Sequence, residues 1–457
     1  MWRAIWLFIV FAGLLFAVSW ISEQSGQVTL YWLDRRIETS ISILLGAVVV
    51  AAVVTAFLYR MFLAIRRAPK NLKKYMGERQ RKKGYVALTR GMVAVAAGDA
   101  EEARRQVRRA DGLLGDPALT LLLSAQTAQL SGDTQAAQTF FTEMRDRPET
   151  EFLGIRGQLT QAMKSDNRDE ALRLAHQAFS LKPKSEWVAS NLFDLQVREK
   201  RWGDALNTLA VSVKNRLIKE PEAQRHRAAL EHLLGIEAAA KGSAQQALRH
   251  ARKSHDQDPA FSPGTARYAN LLLAAGQKRK AASVIEKSWS HSPHPDFIEP
   301  YLAARDAENA NERLVATQRL VKVNPDHLES NLAIASMALE AQIWGEARKY
   351  LDAALKEKPS ARVYRLMADL AELRDGNAEE SRDWLRQATE ADPDPAWVCT
   401  PCGHVHVEWS EACSKCDNFG GLTWEIPPHA IMPKEISNGV IAPILEKPIG
   451  ELLLPTQ

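Results

Sequence analysis

The amino-acid sequence predicts a mainly α protein with an N-terminal transmembrane helical hairpin, an α-solenoid superhelix of repeated helix pairs, and a small C-terminal metal-bound ribbon. Three observations lead to this prediction: two uncharged runs open the chain, a 34-residue period fills its middle, and all four cysteines fall within 28 residues near its end. With 457 residues, 46% hydrophobic and 25% charged, the chain has a globular composition and room for several structural units.

The N-terminal part carries two runs without a charged residue, at positions 4–21 and 39–59. A helix needs about 20 apolar residues to cross a bilayer, so residues 1–63 are predicted to form two transmembrane helices joined by a short outer loop. The alternative for the first run is a cleaved signal peptide, because positions 17–19 read AVS, which resembles a cleavage site. The bulky Trp20 directly after that site favours an uncleaved helix.

A cluster of positive charge follows the second run. Residues 60–84 hold one acid, Glu78, and ten basic residues: Arg60, Arg66, Arg67, Lys70, Lys73, Lys74, Arg79, Arg81, Lys82 and Lys83. Because Lys and Arg are retained on the cytoplasmic side of a membrane span, we expect both termini and the large domain to be cytoplasmic. The juxtamembrane neck, residues 64–83, is also expected to attract anionic lipid, at about 1 kcal/mol per basic residue near the surface.

Self-similarity at a fixed interval dominates residues 84–395. An anchor position, usually an alanine in the pattern G-x-x-x-x-A, recurs with steps of 34, 34, 34, 42, 34, 32, 34 and 34 residues. The anchors are Ala103, Ala137, Ala171, Ala205, Ala247, Ala281, Arg313, Ala347 and Ser381. A second small residue lies seven positions after most anchors, and a proline often follows five positions later, which is typical of two closely packed helices with a proline after the second.

This pattern resembles the tetratricopeptide repeat, a helix–turn–helix unit of 34 residues, and predicts about nine repeats. The unit anchored on Arg313 matches least well, and the 42-residue step holds eight extra residues around NRLIKEPEAQRHR, predicted to lengthen a helix or a loop. Repeats of this kind stack into a superhelix with a concave groove. The resemblance therefore implies binding of a peptide, a helix or a partner protein.

The four cysteines form two CxxC pairs, Cys399 with Cys402 and Cys413 with Cys416. Two such pairs can direct four thiolates at one point, and four thiolates suit zinc or iron. Disulfides are rare in the reducing cytoplasm, which favours a metal site over a covalent staple. A closed site of four thiolates has no position for a substrate, so the metal is expected to be structural and to provide folding energy for residues 396–428.

Other interpretations of this segment are weaker. A thioredoxin-like redox pair needs a surrounding βαβ pattern, which neither CxxC has, and attachment of c-type haem needs a histidine where Gly403 stands. His404 or His406 could replace a cysteine as ligand, but four cysteines already fill the site. The aromatic residues around the cysteines are expected to form a miniature core: Trp397, Trp409, Phe419 and Trp424.

The spacing of the cysteines resembles rubredoxin-type ribbons. A glycine follows Cys402 in the first pair, but Asp417 follows the last cysteine in the second, so we favour zinc over the iron of rubredoxin. Beyond the ribbon, residues 429–457 are rich in proline and are predicted to be extended.

The two spans, the basic neck and the repeats together resemble the HemY family of bacterial inner-membrane proteins. The resemblance is clearest in YWLDRRIETSISILLGAVVV and FLYRMFLAIRRAPKNLKKY. It implies a multi-pass scaffold of the inner membrane that organises enzymes of late protohaem (tetrapyrrole) biosynthesis. The ribbon is similar to the rubredoxin-like tail of the LapB family, which implies as an alternative an adaptor that regulates lipopolysaccharide assembly.

The sequence gives no support for catalysis or for nucleic-acid binding. It has no G-x-G-x-x-G after a strand, no phosphate loop, no HExxH and no nucleophile elbow, so we predict that the protein is not an enzyme. Residues 397–424 hold one lysine, Lys415, against three acids, Glu408, Glu411 and Asp417, which argues against contacts with phosphates of a nucleic acid.

Overall fold

The structure is a computed structural model that describes residues 27–32 and 35–427, together with the isolated positions 12–13, 16 and 19–20. Apart from those isolated positions, the first predicted span lies outside the described residues, and so does the tail at 429–457. The chain divides into two compact units, Met1–Asp133 and Thr134–Gln457.

The described part of the first unit begins with an antiparallel pair of strands, β1 (Gln27–Trp32) and β2 (Arg35–Ser40). Gln27 lies opposite Ser40, and Trp32 lies opposite Arg35. Valine, threonine, tyrosine and isoleucine in these strands favour extended backbone. The structure differs here from the sequence-based expectation, which had a loop before residue 39 and a helix from that residue onwards.

A single helix, α1 (Ile41–Ala96), follows directly and runs for 56 residues, or about 84 Å. Its window Gly46–Leu63 has a mean hydropathy of 2.0 and none of it is buried. Within the described residues, this is the one helix long and apolar enough to cross a membrane. The backbone of α1 stays helical through the basic neck and into the first repeat.

The C-terminal part of α1 packs against two further helices of the same unit, α2 (Ala100–Leu114) and α3 (Pro117–Leu130). The first anchor, Ala103, is fully buried in this packing. A Cβ atom on Gly91 would lie 2.6 Å from Leu123 Cδ2, so any larger residue there would displace the Leu123 side chain where α1 approaches α3.

The second unit is built from consecutive helices that each pack on the next. Their bounds are α4 (Thr134–Arg145), α5 (Glu151–Lys164), α6 (Arg168–Leu181), α7 (Glu186–Arg198), α8 (Trp202–Lys214), α9 (Glu220–Ala240), α10 (Ala244–Gln257), α11 (Ser262–Ala274), α12 (Lys278–Trp289), α13 (Ile298–Ala304), α14 (Ala310–Val321), α15 (Leu328–Glu340), α16 (Trp344–Glu357), α17 (Ala361–Asp375) and α18 (Ala378–Glu390). A 3-10 turn, Pro295–Phe297, precedes α13. In this numbering the odd-numbered helices are the first helices of the repeats.

The even-numbered helices carry the periodic anchors, which lie in the core. In the second unit the anchor alanines are at most 1% exposed: Ala137, Ala171, Ala205, Ala247, Ala281 and Ala347. Arg313 occupies the same position in α14, where its guanidinium pairs with Glu299 at 2.6 Å and Glu340 at 3.1 Å. These ion pairs explain how a charged residue replaces alanine there, and the predicted α-solenoid of helix pairs is confirmed.

The eight extra residues lengthen a helix. Helix α9 has 21 residues, whereas the first helices on either side of it, α7 and α11, have 13 each. The additional residues form about two turns at its N-terminal end. They bring side chains of α9 to the C-terminal ribbon.

The ribbon is a three-stranded antiparallel sheet with the order β4-β3-β5. Its strands are β3 (Ala396–Cys399), β4 (Val405–His406) and β5 (Leu422–Glu425). On the central strand, Trp397 lies opposite His406 on one side and opposite Trp424 on the other.

Candidate metal centre

The first cysteine knuckle closes the end of β3. The backbone N–H of Gly403 donates to the carbonyl of Cys399 across 2.7 Å, and the N–H of Cys399 donates to the carbonyl of His404 across 2.9 Å. Gly403 has φ +68°, in the left-handed region where glycine carries no steric penalty. The turn places the side chains of Cys399 and Cys402 on the same side of the knuckle.

The second knuckle has the same backbone hydrogen bonds without that glycine. Asp417 N–H donates to the carbonyl of Cys413 across 2.9 Å, and Cys413 N–H donates to the carbonyl of Asn418 across 3.1 Å. Asp417 has φ +56°, which aspartate tolerates better than most residues. The missing glycine therefore changes the residue type and leaves the geometry of the knuckle intact.

The two knuckles bring the four cysteine sulfurs together. The Sγ atoms of Cys399 and Cys416 are 3.5 Å apart, those of Cys402 and Cys413 are 3.6 Å apart, and all four lie within 4.8 Å of one another. A tetrahedral zinc site with Zn–S bonds of about 2.3 Å would have S–S edges of about 3.8 Å. These separations are far longer than the disulfide bond of about 2.05 Å. The arrangement can hold one metal ion.

The thiols differ strongly in their tendency to ionise. Burial raises the pKa of Cys399 to about 12. Burial also opposes the thiolate of Cys413, but hydrogen bonds from the His406 ring and from the backbone N–H groups of Lys415 and Cys416 lower its pKa to about 5. The four thiols therefore do not all ionise at neutral pH on their own, and a bound cation would stabilise the set of thiolates.

One aromatic residue of the ribbon joins the core of the solenoid. Phe419 is only 5% exposed. Its ring centroid lies 5.6 Å from that of Phe193 on α7, 6.4 Å from Trp202 on α8 and 5.7 Å from His226 on α9. The ribbon is thus docked on the repeats through a buried contact.

Two further ribbon aromatics extend this contact along the odd-numbered helices. The Trp409 ring lies 5.3 Å from His232 on α9 and 5.1 Å from Phe261 at the start of α11. The Trp424 ring lies 4.5 Å from His294, which precedes the 3-10 turn. Of the four aromatics expected to form a core around the metal, Trp397 and Trp424 pack beside the cysteines, Trp409 contributes partly and Phe419 faces the solenoid.

Sequence reasoning missed the three histidines that meet the ribbon. Burial lowers the pKa of His226, and it lowers the pKa of His232 and His294 to about 4, so all three are neutral at pH 7. Their spacing gave no signal, because it follows neither the repeat nor a metal motif. The eight-residue insertion was the one available signal, since it forms the turns of α9 that carry His226.

Two solved structures align with parts of the chain. A crystal structure of MamA aligns with 34% of this chain and 93% of its own, at 18% identity and a TM-score of 0.24. A tetratricopeptide repeat protein from Parabacteroides merdae aligns with 52% of this chain and 93% of its own, at 13% identity and a TM-score of 0.26. The consecutive helix pairs themselves define the fold.

Comparisons of sequence identify a relative and a family. The chain is 27% identical over 429 residues to "Probable magnetosome protein Mms48" of Magnetospirillum gryphiswaldense, covering 92% of this chain and 93% of the relative. Residues 26–132 match the family described as HemY protein N-terminus. That match includes the membrane segment, the basic neck and the first repeat on which the resemblance was based. The resemblance is thereby confirmed, and the chain is a HemY-like tetratricopeptide-repeat protein.

Proposed function

We propose that the protein is a membrane-anchored scaffold whose repeats hold cytoplasmic enzymes of late protohaem biosynthesis, and that it is not itself an enzyme. The observation that carries the scaffold role is the docked ribbon. Helices α7 and α9 and the start of α11 already bind a folded polypeptide element through aromatic side chains, and we propose that other proteins bind elsewhere on the stacked repeats. The assignment to haem biosynthesis rests on the HemY resemblance.

The membrane anchor we propose has two spans, with both termini and the large domain on the cytoplasmic side of a bacterial inner membrane. The apolar window Gly46–Leu63 supports the second span, and the ten basic residues at 60–84 support its orientation. In this arrangement the part of the basic neck nearest Leu63 lies at the membrane surface and contacts anionic lipid.

We further propose that Cys399, Cys402, Cys413 and Cys416 bind one structural zinc ion, with iron as the alternative. The sulfur separations of 3.5 and 3.6 Å and the two matching knuckles support this. Metal analysis of the purified full-length chain tests it: about one zinc per chain is expected, falling to near zero after Cys399→Ser plus Cys402→Ser. Stoichiometric iron with visible thiolate-to-iron absorption would instead establish the alternative.

A second candidate function is regulation of lipopolysaccharide assembly, as implied by the LapB-like ribbon. Phe419 of the ribbon lies in the same core cluster as residues of the repeats. This favours a role in partner binding for the surface that the ribbon and the repeats form together. The name of the relative refers to the magnetosome. Magnetosome proteins are therefore a third set of candidate partners, which identification of all crosslinked proteins would detect.

Crosslinking in intact membranes distinguishes these functions. Tagged full-length chain would be crosslinked in its native host, and the captured proteins would be identified by mass spectrometry beside the Cys399→Ser plus Cys402→Ser variant. Capture of ferrochelatase or other late haem enzymes is expected. Capture of lipopolysaccharide enzymes or a membrane protease in their place would overturn the haem assignment and support the second candidate.

A further inference from the structure

A second candidate site lies in the first unit, away from the cysteines. A cavity of about 300 Å³ opens between α1 and α2. Helix α1 and helix α2 line it with five cations, two apolar residues and one amide: Arg79, Lys82, Lys83, Arg90, Arg109, Val86, Ala87 and Gln106.

The positive charge of this cavity is not compensated by partners. Within the described part of the chain, none of its five cations forms an ion pair. Glu102, one turn before Gln106 on α2, is already engaged, because it pairs with Arg105 and accepts a hydrogen bond from Gln106 at 2.6 Å. Five unpaired cations around one cavity create a local positive potential that favours an anion.

Gln106 provides an independent indication of a ligand. Its side chain is 8% exposed, and its amide nitrogen donates to Glu102. Its amide oxygen has no hydrogen-bond partner among the described residues. This oxygen is also shielded from solvent, so a ligand in the cavity would reach it only after the side chain turns. A buried acceptor without a donor costs about 1–3 kcal/mol, and a ligand donor that met the turned amide would remove this cost.

We propose that this cavity binds a phosphate group that has a hydroxyl group beside it. The cations would contact the phosphate oxygens through charge-assisted hydrogen bonds, and Gln106 would accept a hydrogen bond from the hydroxyl. Val86 and Ala87 would contact the carbon atoms that join the two groups. This chemistry belongs to the headgroup of a phospholipid such as phosphatidylglycerol and equally to a soluble polyol phosphate.

The position of the cavity along α1 determines whether a membrane lipid or a soluble phosphate compound can reach it. Arg79 lies 16 residues beyond Leu63, the end of the apolar window, which is about 24 Å along a straight helix. A lipid headgroup within the bilayer reaches the cavity only if this part of α1 lies along the membrane surface. A soluble ligand reaches it in any orientation.

Direct binding to the full-length chain in nanodiscs tests the proposal. Glycerol 3-phosphate would be titrated by calorimetry into protein in phosphatidylcholine discs, with sulfate, which has no hydrogen-bond donor, as the comparison. In parallel, the protein would be purified with equal amounts of phosphatidylglycerol and phosphatidylcholine, and the retained lipid would be measured by native mass spectrometry. Lys82→Gln plus Arg109→Gln removes two cavity cations, and Arg81→Gln plus Arg108→Gln removes two exposed cations, one position away on the same helices, that do not line the cavity.

The cavity variant is expected to weaken binding about tenfold, and the control variant less than twofold, at one fixed salt concentration. Gln106→Leu is expected to remove the preference for glycerol 3-phosphate over sulfate. Binding of glycerol 3-phosphate supports a soluble source, and selective retention of phosphatidylglycerol alone supports a lipid. The proposal would be overturned if the protein neither bound glycerol 3-phosphate nor selectively retained phosphatidylglycerol. Equal losses of binding in the cavity and control variants would also overturn it, because a diffuse effect of positive charge would then explain the binding.

Discussion

His406 lies beside the proposed metal site, and we expect it to act there without being a ligand. Its Nε2 lies 3.4 Å from Cys413 Sγ and favours the thiolate form of that cysteine. We predict that His406→Ala keeps one metal ion per chain but lowers the affinity about tenfold, since partners of this kind stabilise ligands. Competition with a chromophoric chelator measures this, with His404→Ala as the control. Complete loss of the metal would mean that His406 is itself a ligand.

Two glycines of the ribbon allow the stability lost through backbone strain to be distinguished from the stability lost at the docking contact. Gly403 and Gly420 have φ +68° and +63°, but a Cβ atom on Gly420 would also lie 3.0 Å from His226 Cδ2, whereas one on Gly403 meets nothing within 4 Å. Both alanine variants should lose about 1 kcal/mol from the strain alone. We predict a larger loss for Gly420→Ala, measured as the free energy of ribbon opening by hydrogen exchange. Equal losses would mean that this contact does not contribute to docking.

At the scale of elements, the repeats were predictable because each anchor must be buried for two helices to approach. Ala247 and Ala281 are fully buried, as the period requires, and Arg313 occupies the same position with its guanidinium paired to Glu299 and Glu340. The docking of the ribbon was not predictable, because it joins residues about 190 positions apart through contacts with no period, such as Phe419 with His226. The sequence indicated only that α9 or a neighbouring loop would be longer.

Docking of the ribbon should depend on pH through the histidines of α9 and the segment before α13. Burial lowers the pKa of His232 and His294 to about 4 from 6.5, and the nearby Arg267 and Arg362 act in the same direction. Both side chains are neutral in the docked state, so their contribution is complete above pH 6.5 and is lost as the pH falls towards 4. The loss can reach about 3 kcal/mol per histidine.

Hydrogen exchange of β3–β5 between pH 7 and 4.5 measures this dependence at constant free metal. Because protonation of the cysteines also releases metal in this range, the informative comparison is with His232→Leu plus His294→Leu, which should show a smaller decrease in protection. The exposed His176→Leu is the control and should behave as the unmodified chain. An identical pH profile in the double variant would exclude the two histidines as the cause.

At the scale of the whole molecule, the proposed metal site is linked to the surface of the repeats on which the ribbon docks. The cysteines hold the turns that present Trp409 and Phe419 to helices α7, α9 and α11. A unit as small as the ribbon has too little buried surface to stay folded alone, so loss of the metal should release it from the repeats. The state of four cysteines would then determine whether an aromatic surface of the solenoid is covered or free.

We therefore predict that chelation, or Cys399→Ser plus Cys402→Ser, unfolds the ribbon and leaves the helices intact. Binding of an apolar dye and proteolytic cleavage within 396–427 should increase. The helical circular dichroism should change little, because anchors such as Ala171, Ala281 and Ala347 lie in core clusters that contain no ribbon residue. Trp409→Ala plus Phe419→Ala is the matched comparison, since it removes the docking side chains without touching a ligand. That variant should keep its metal and still bind the dye. A collapse of helical signal on chelation would show that the ribbon is required for the fold of the repeats, and an unchanged cleavage pattern would show that it holds together without metal.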